Sequence, residues 1–215
     1  MNPFKKLVFL VLLLVFVSNG DSSGISFRNQ NSTFASKPTI NIVKTKEKAK
    51  QAYEFCKKNK MDTTFCILID MSLHSGVKRF LVWDFQKDTI QHLFLVGHGC
   101  CDNMWSYDQS KDSPQFSNVD GSHCSSLGKY RLGKRGYSNW GVHINYQMHG
   151  LESTNSNANK RLICFHSWEV VSDSEVYPDG TPEGWGCPTI SNNSFKLIDP
   201  LLQKTTLPVL MWIYQ

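Results

Sequence analysis

Apolar positions recur along the chain in two different rhythms. Ala49, Ala52, Tyr53 and Cys56 are spaced by three and four residues, which predicts a helix over 45–61 with one buried face and Thr45 as its N-cap. The Lys residues between them make a solvated face. From Phe65 onward the apolar residues gather in short runs bounded by turn residues, the signature of strands. Such runs fall at 66–71 (CILIDM), 79–85 (RFLVWDF) and 89–96 (TIQHLFLV). Gln86-Lys87-Asp88 between the last two predicts a hairpin. Further strands are expected at 127–132, 141–146, 161–166 and 208–214. Ser191 or Asn192 caps a short helix toward Leu202, which Pro200 should bend or end early. No internal repeat or second linker interrupts the pattern. The expected fold is one domain over 45–215, mainly β with a few helices, built as a sandwich or a curled sheet.

The N-terminal pattern is different. Residues 7–17 (LVFLVLLLVFV) are an unbroken apolar run behind Lys5 and Lys6. Its 11 residues are too few for a membrane span of about 20 and suit a signal-peptide core of roughly 7–15. Ser18 and Gly20 are small residues ahead of a cut near Asp21. Residues 1–20 are therefore expected to be a signal peptide, and 21–44, rich in Ser, Asn and Thr, a flexible tether. The mature protein would be exported to the periplasm or cell envelope, with no membrane span left after cleavage. Two stretches are longer than a connection needs. Residues 97–126 suggest a lid, a binding loop or a metal-organised segment, and 171–185 carry the turn signals Pro178, Asp179-Gly180 and Pro182.

The formal charge of +5 falls to +3 without Lys5 and Lys6, too mild to argue for nucleic acid as a partner. The seven cysteines are Cys56, Cys66, Cys100, Cys101, Cys124, Cys164 and Cys187. Outside the cytosol an odd count permits disulfides and leaves at least one thiol unpaired. At least one disulfide is expected among the cysteines other than Cys187, with Cys100, Cys101 and Cys124 placed to tie down the long loop.

His166 and Cys187 are the candidate chemistry. His166 ends the apolar strand Leu162-Ile163-Cys164-Phe165. Cys187 follows Gly186, which permits a sharp turn, and precedes Pro188, which fixes the chain. A thiol at such a turn has backbone N–H groups beside it that can hold an oxyanion, and a nearby imidazole can take its proton. The plainer reading is a buried thiol that packs as a small hydrophobe and a histidine that is merely hydrogen-bonded.

The words around these residues resemble the L,D-transpeptidases of bacterial peptidoglycan, whose pattern is a His, about twenty residues, then Ser/Thr-His-Gly-Cys, a variable residue and Asn. His166 with Ser167, and Gly186-Cys187, match. Gly184, Trp185 and Thr189 depart from the Ser/Thr, the second His and the Asn. The Trp-Gly-Cys-Pro version is similar to the murein L,D-transpeptidase catalytic domain branch. Upstream, Ile69-Asp70-Met71-Ser72, 79–84, Phe116-Ser117-Asn118, Ser125-Ser126-Leu127-Gly128, Tyr130, Gly150-Leu151-Glu152, Asn157, Ala158 and Arg161 fall in the same order. The resemblance covers about 65–215. It implies that Cys187 attacks the carbonyl of the third stem-peptide residue and expels D-alanine. His166 would be base and then acid, with its ring oriented by the Ser167 carbonyl. Backbone N–H groups of Trp185, Gly186 and Cys187 would form the oxyanion site. The acyl group would pass to an amine of another stem, or to water, with no cofactor and no metal.

Three other readings compete. A zinc site drawing on His98, Cys100, Cys101, His123, Cys124, Cys164 and His166 lacks paired CxxC spacing. A sortase-like enzyme would want an Arg soon after the Cys, but all five arginines precede Cys187, and papain-like order fails because no His follows it. A non-catalytic envelope-binding domain of the same fold is the third.

Overall fold

The computed structural model describes residues 36–102 and 110–215. The expected signal peptide and most of the expected tether lie outside the described residues. Helix α1 (Ile42–Lys58) begins three residues before the expected start, because Asn41 and not Thr45 is its N-cap: the Asn41 side chain accepts the Lys44 N–H at 3.1 Å. Thr45 lies one turn inside, buried, with its hydroxyl donating to the Asn41 carbonyl at 2.9 Å. Residues 42–44, expected as tether, are therefore helix. No helix among the described residues is long and apolar enough to cross a membrane.

Among the described residues eight strands form one sheet: β1 (Phe65–Asp70), β2 (Phe80–Asp84), β3 (Thr89–Phe94), β4 (Gly128–Tyr137), β5 (Ile144–Gly150), β6 (Cys164–Ser167), β7 (Thr189–Ile190) and β8 (Leu210–Tyr214). The spatial order is β3-β2-β1-β8-β4-β5-β6-β7, with β1/β8 and β6/β7 parallel and the other pairs antiparallel. The expected β2–β3 hairpin forms. Just past β3, the Gly97 N–H donates to the Thr189 carbonyl of β7 at 2.8 Å. The sheet thus curls until its two edges meet, which decides for a curled sheet over a sandwich.

Period-two alternation places the core. Ile67 and Ile69 of β1, Phe80 and Val82 of β2, Tyr130 and Leu132 of β4 and Phe165 of β6 join one buried cluster. Helix α2 (Asn192–Lys204) contributes Phe195, Ile198 and Leu202 to it. The opposite faces of β1 and β2, with Cys66, Leu68, Leu81 and Trp83, pack under Ala49, Ala52 and Cys56 of α1. Burial on both faces explains why β1 reads as a continuous apolar run rather than an alternating one. Ser191 caps α2 by accepting the Ser194 N–H at 3.1 Å. The helix does not end at Pro200 but runs on to Lys204. The helix is held to the sheet at Asp199, which takes Arg135 Nε at 2.8 Å, Arg135 Nη2 at 3.0 Å and the Tyr146 hydroxyl at 2.7 Å.

Candidate active site

Strand β6 and the turn leading into β7 bring His166 and Cys187 together. Cys164 and His166 are two residues apart on β6 and so project to the same side. Facing them is Cys187. One ligand atom from each of Cys164, His166 and Cys187 falls within 4.8 Å of the others. The Cys164 N–H donates to Cys187 Sγ at 3.4 Å, and the two sulfurs are 4.0 Å apart. His166 is buried, and Nδ1 lies 2.9 Å from the Ser167 carbonyl. A carbonyl can only accept, so Nδ1 carries the proton and the neutral ring presents a lone pair at Nε2.

The electrostatics of the trio follow from these contacts. The Cys164 thiol hydrogen bond, and after it the hydrogen bond and charge of His166, hold the Cys187 thiol well below the ordinary cysteine range despite its burial. Burial alone would lower His166, yet the Cys187 contact and the Ser167 carbonyl raise it overall. Cys164 is pushed up by its hydrogen bond to Cys187 and by burial, and stays a thiol. Both shifts favour passage of the Cys187 proton to His166.

The turn that carries Cys187 is held on several sides. The Gly184 N–H donates to the His98 carbonyl and the Cys100 N–H to the Gly184 carbonyl, both at 2.8 Å. The Ser125 hydroxyl donates to the Gly186 carbonyl at 3.3 Å. Gly186 has φ +99°, and a Cβ there would lie 2.5 Å from the Cys124 carbonyl oxygen and 3.2 Å from Arg161 Nη2. Arg161 fixes that wall, donating to the Cys124 carbonyl at 2.6 Å, the Ser126 hydroxyl at 2.6 Å and the Ser117 carbonyl at 2.9 Å. A Cys101–Cys124 disulfide closes it. The described part of the long 97–126 loop is thus stapled beneath the turn. The Trp185 ring is 60 % exposed and packs beside His123, centroids 5.1 Å apart. Among the described residues no backbone group accepts the N–H groups of Trp185, Gly186 or Cys187.

A second polar cluster supports the turn from behind. Arg79 is fully buried and donates to the carbonyls of Leu73 and Val96, with Nη2 2.8 Å from His98 Nδ1. His98 Nε2 lies 3.3 Å from Glu183 Oε1 and 3.0 Å from the Ser110 hydroxyl. Burial pulls Arg79 down to about 9, so the guanidinium remains charged at neutral pH. A neutral His98 then relays between Arg79 and Glu183, two residues before Trp185.

The chain matches the L,D-transpeptidase catalytic domain over residues 36–212. It belongs to that family. A search of the curated proteins finds no match. Among solved structures, the helical cell shape determining protein Pgp2 of Campylobacter jejuni is 12% identical, covering 71% of this chain and 48% of its own, with a TM-score of 0.45. Bd1075 of Bdellovibrio bacteriovorus is 16% identical, covering 73% and 49%, with a TM-score of 0.39. The L,D-transpeptidase of Xylanimonas cellulosilytica is 9% identical, covering 75% and 68%, with a TM-score of 0.37. The chain spans about half the length of the first two.

All five residues singled out from the sequence, Cys187, His166, Gly186, Trp185 and Ser167, come together here. The zinc set does not: Cys101 and Cys124 form the disulfide, and His98 belongs to the Arg79–Glu183 relay. Among the described residues, the donors close enough to hold a thiophilic ion are Cys164 and His166 of that set together with Cys187. Sequence reasoning missed Cys164 as a neighbour of Cys187, although its i, i+2 spacing to His166 on a strand was a usable signal. Arg161 was visible only as a motif position, because its partners come from residues 117–126.

Proposed function

We infer that the protein is a peptidoglycan L,D-transpeptidase or L,D-carboxypeptidase of the cell envelope that works through a Cys187 thioester. The observation that carries this reading is the His166 ring, fixed by the Ser167 carbonyl and set against a thiol whose ionisation it favours. Cys187 as thiolate attacks the carbonyl of the third stem-peptide residue. The developing oxyanion is met by backbone N–H groups of Trp185, Gly186 and Cys187. His166, holding the thiol proton, gives it to the leaving amine of D-alanine, so the intermediate collapses to a thioester. An amine of a second stem, or water, then loses its proton to His166 and releases the acyl group. The family's second motif histidine is replaced by Trp185, so this position acts through its backbone. Its ring lies exposed beside His123.

Export behind a cleaved signal peptide at residues 1–20 fits this substrate, which lies outside the cytoplasm. The test is to incubate the purified protein with a disaccharide-tetrapeptide and separate the products. Release of D-alanine with tripeptide or 3–3 cross-linked product is expected. The Trp185 and Thr189 departures favour one second reading, a non-catalytic envelope-binding domain. It predicts retention on peptidoglycan with no product.

A further inference from the structure

The acyl transfer uses one thiol and one imidazole, and Cys164 enters it only through its contacts to the Cys187 sulfur. Its position is not incidental. Strands β6 and β7 pair in parallel, His166 with Thr189 and Ser167 with Ile190, and Cys164 and Cys187 keep that same offset of 23 residues. Cys187 stands in the turn two residues before β7, and its closeness to Cys164 is shown by the Cys164 N–H donating to Cys187 Sγ at 3.4 Å. The sulfurs lie 4.0 Å apart and need only close from there to bonding distance. Both residues are half-buried, whereas the other free thiols, Cys56, Cys66 and Cys100, are buried.

We propose that Cys164 is a resolving cysteine that captures the peroxide-oxidised form of Cys187 as a reversible Cys164–Cys187 disulfide. This rests on the reading of Cys187 as the reactive thiol. The oxidant is a hydroperoxide. The Cys187 thiolate attacks its terminal oxygen, an S–O bond forms and the O–O bond breaks. The proton held by His166 goes to the departing oxygen, and Cys187 becomes a sulfenic acid. The Cys164 sulfur then attacks the Cys187 sulfur, the S–S bond forms and the S–O bond breaks. The leaving hydroxide takes the Cys164 proton as water. In sum, two thiols and hydrogen peroxide give one disulfide and two waters, with two electrons passing from sulfur to oxygen. Without a neighbouring thiol, continued oxidation would carry Cys187 to the sulfinic and sulfonic acids, which thiols do not reverse. With one, the nucleophile is parked in a form that a dithiol restores by exchange.

The decisive experiment treats the purified protein, its Cys101–Cys124 bridge intact, with hydrogen peroxide, alkylates the remaining thiols and maps the peptides without reduction. A Glu-specific protease suits the map, because Glu169, Glu175 and Glu183 separate the two cysteines. The expected result is a Cys164 peptide joined to the Cys187 peptide, lighter by two hydrogens than the pair of thiols. Dithiothreitol should then return Cys187 to its untreated rate of alkylation. In Cys164→Ser the same treatment should leave Cys187 with two or three added oxygens and no recovery. Sulfinic acid on Cys187 of the parent protein with no linked peptide would overturn the proposal, as would equal recovery in parent and variant. The parent map decides even if the variant folds poorly. Turnover of the tetrapeptide by untreated protein is measured alongside. Its absence would defeat the transpeptidase reading, while the linked peptide would be read independently.

Discussion

Replacing Gly186 by Ala perturbs the site through backbone geometry alone. At φ +99° an L-residue is strained by about 1–2 kcal/mol. The added Cβ would also sit 2.5 Å from the Cys124 carbonyl oxygen, which cannot retreat. That oxygen accepts from Arg161, and its residue is cross-linked to Cys101. Relieving such a contact costs about 1–3 kcal/mol. The total of about 2–5 kcal/mol corresponds to a fall in melting temperature of roughly 4–20 °C for a domain of this size. The turn is the softer partner, so Cys187 should shift against His166. A displacement near 1 Å costs on the order of 10²-fold in rate. Gly184→Ala is the matched control, because a Cβ there meets nothing within 4 Å and its φ is not in the left-handed region. Calorimetry and the rate of Cys187 alkylation by iodoacetamide read both variants. If Gly186→Ala melts and alkylates like Gly184→Ala, the turn is not held as described.

The Cys187 thiolate and His166 imidazolium make alkylation of Cys187 rise with pH through a value well below the usual cysteine range, and transfer should fall again as His166 loses its proton above its own raised value. His166→Gln should move the alkylation inflection upward and slow acyl transfer by roughly 10²–10⁴-fold. An unmoved inflection would separate the imidazole from the thiol. Burial works to raise the Asp199 carboxyl, but its hydrogen bonds to Arg135 and Tyr146 hold it below the usual range. Its contribution is therefore present above the unfolded value of about 3.9 and is lost as pH falls through the lower folded value. Asp199→Asn should cost about 1–2 kcal/mol at pH 7, toward the low end because Arg135 is 41% exposed, and the gap should close on acidification. Urea melts at pH 7 and pH 3 would show it, and a gap that widens at low pH would contradict the assignment.

Much of the fold was legible because its signals are local. The apolar runs of β2 and β3 and the Gln86-Lys87-Asp88 turn gave the hairpin, and Ser191 gave the start of α2. Apart from the α1 cap, which Asn41 takes from Thr45 by a local contact, the errors lie where a contact distant in sequence decides. Strand β4 runs on to Tyr137 through Lys134 and Arg135, residues without strand periodicity, because β5 pairs with it and Asp199 receives Arg135. Strand β7 has only Thr189 and Ile190, too short for any pattern, and exists because β6 and Gly97 offer partners. At the site, His166, Gly186 and Cys187 announce themselves by residue type and neighbours. The Arg79–His98–Glu183 relay does not, since the β2–β3 hairpin brings Arg79 to His98 but Glu183 joins them only from a segment distant in sequence.

The central claim is that Cys187 carries the acyl group. Mixing the protein with a disaccharide-tetrapeptide, quenching in acid and mapping the adduct by mass tests it directly. A thioester of the stem tripeptide on the Cys187 peptide is predicted, formed together with free D-alanine and absent in Cys187→Ser. Release of D-alanine by Cys187→Ser at the parent rate would contradict it.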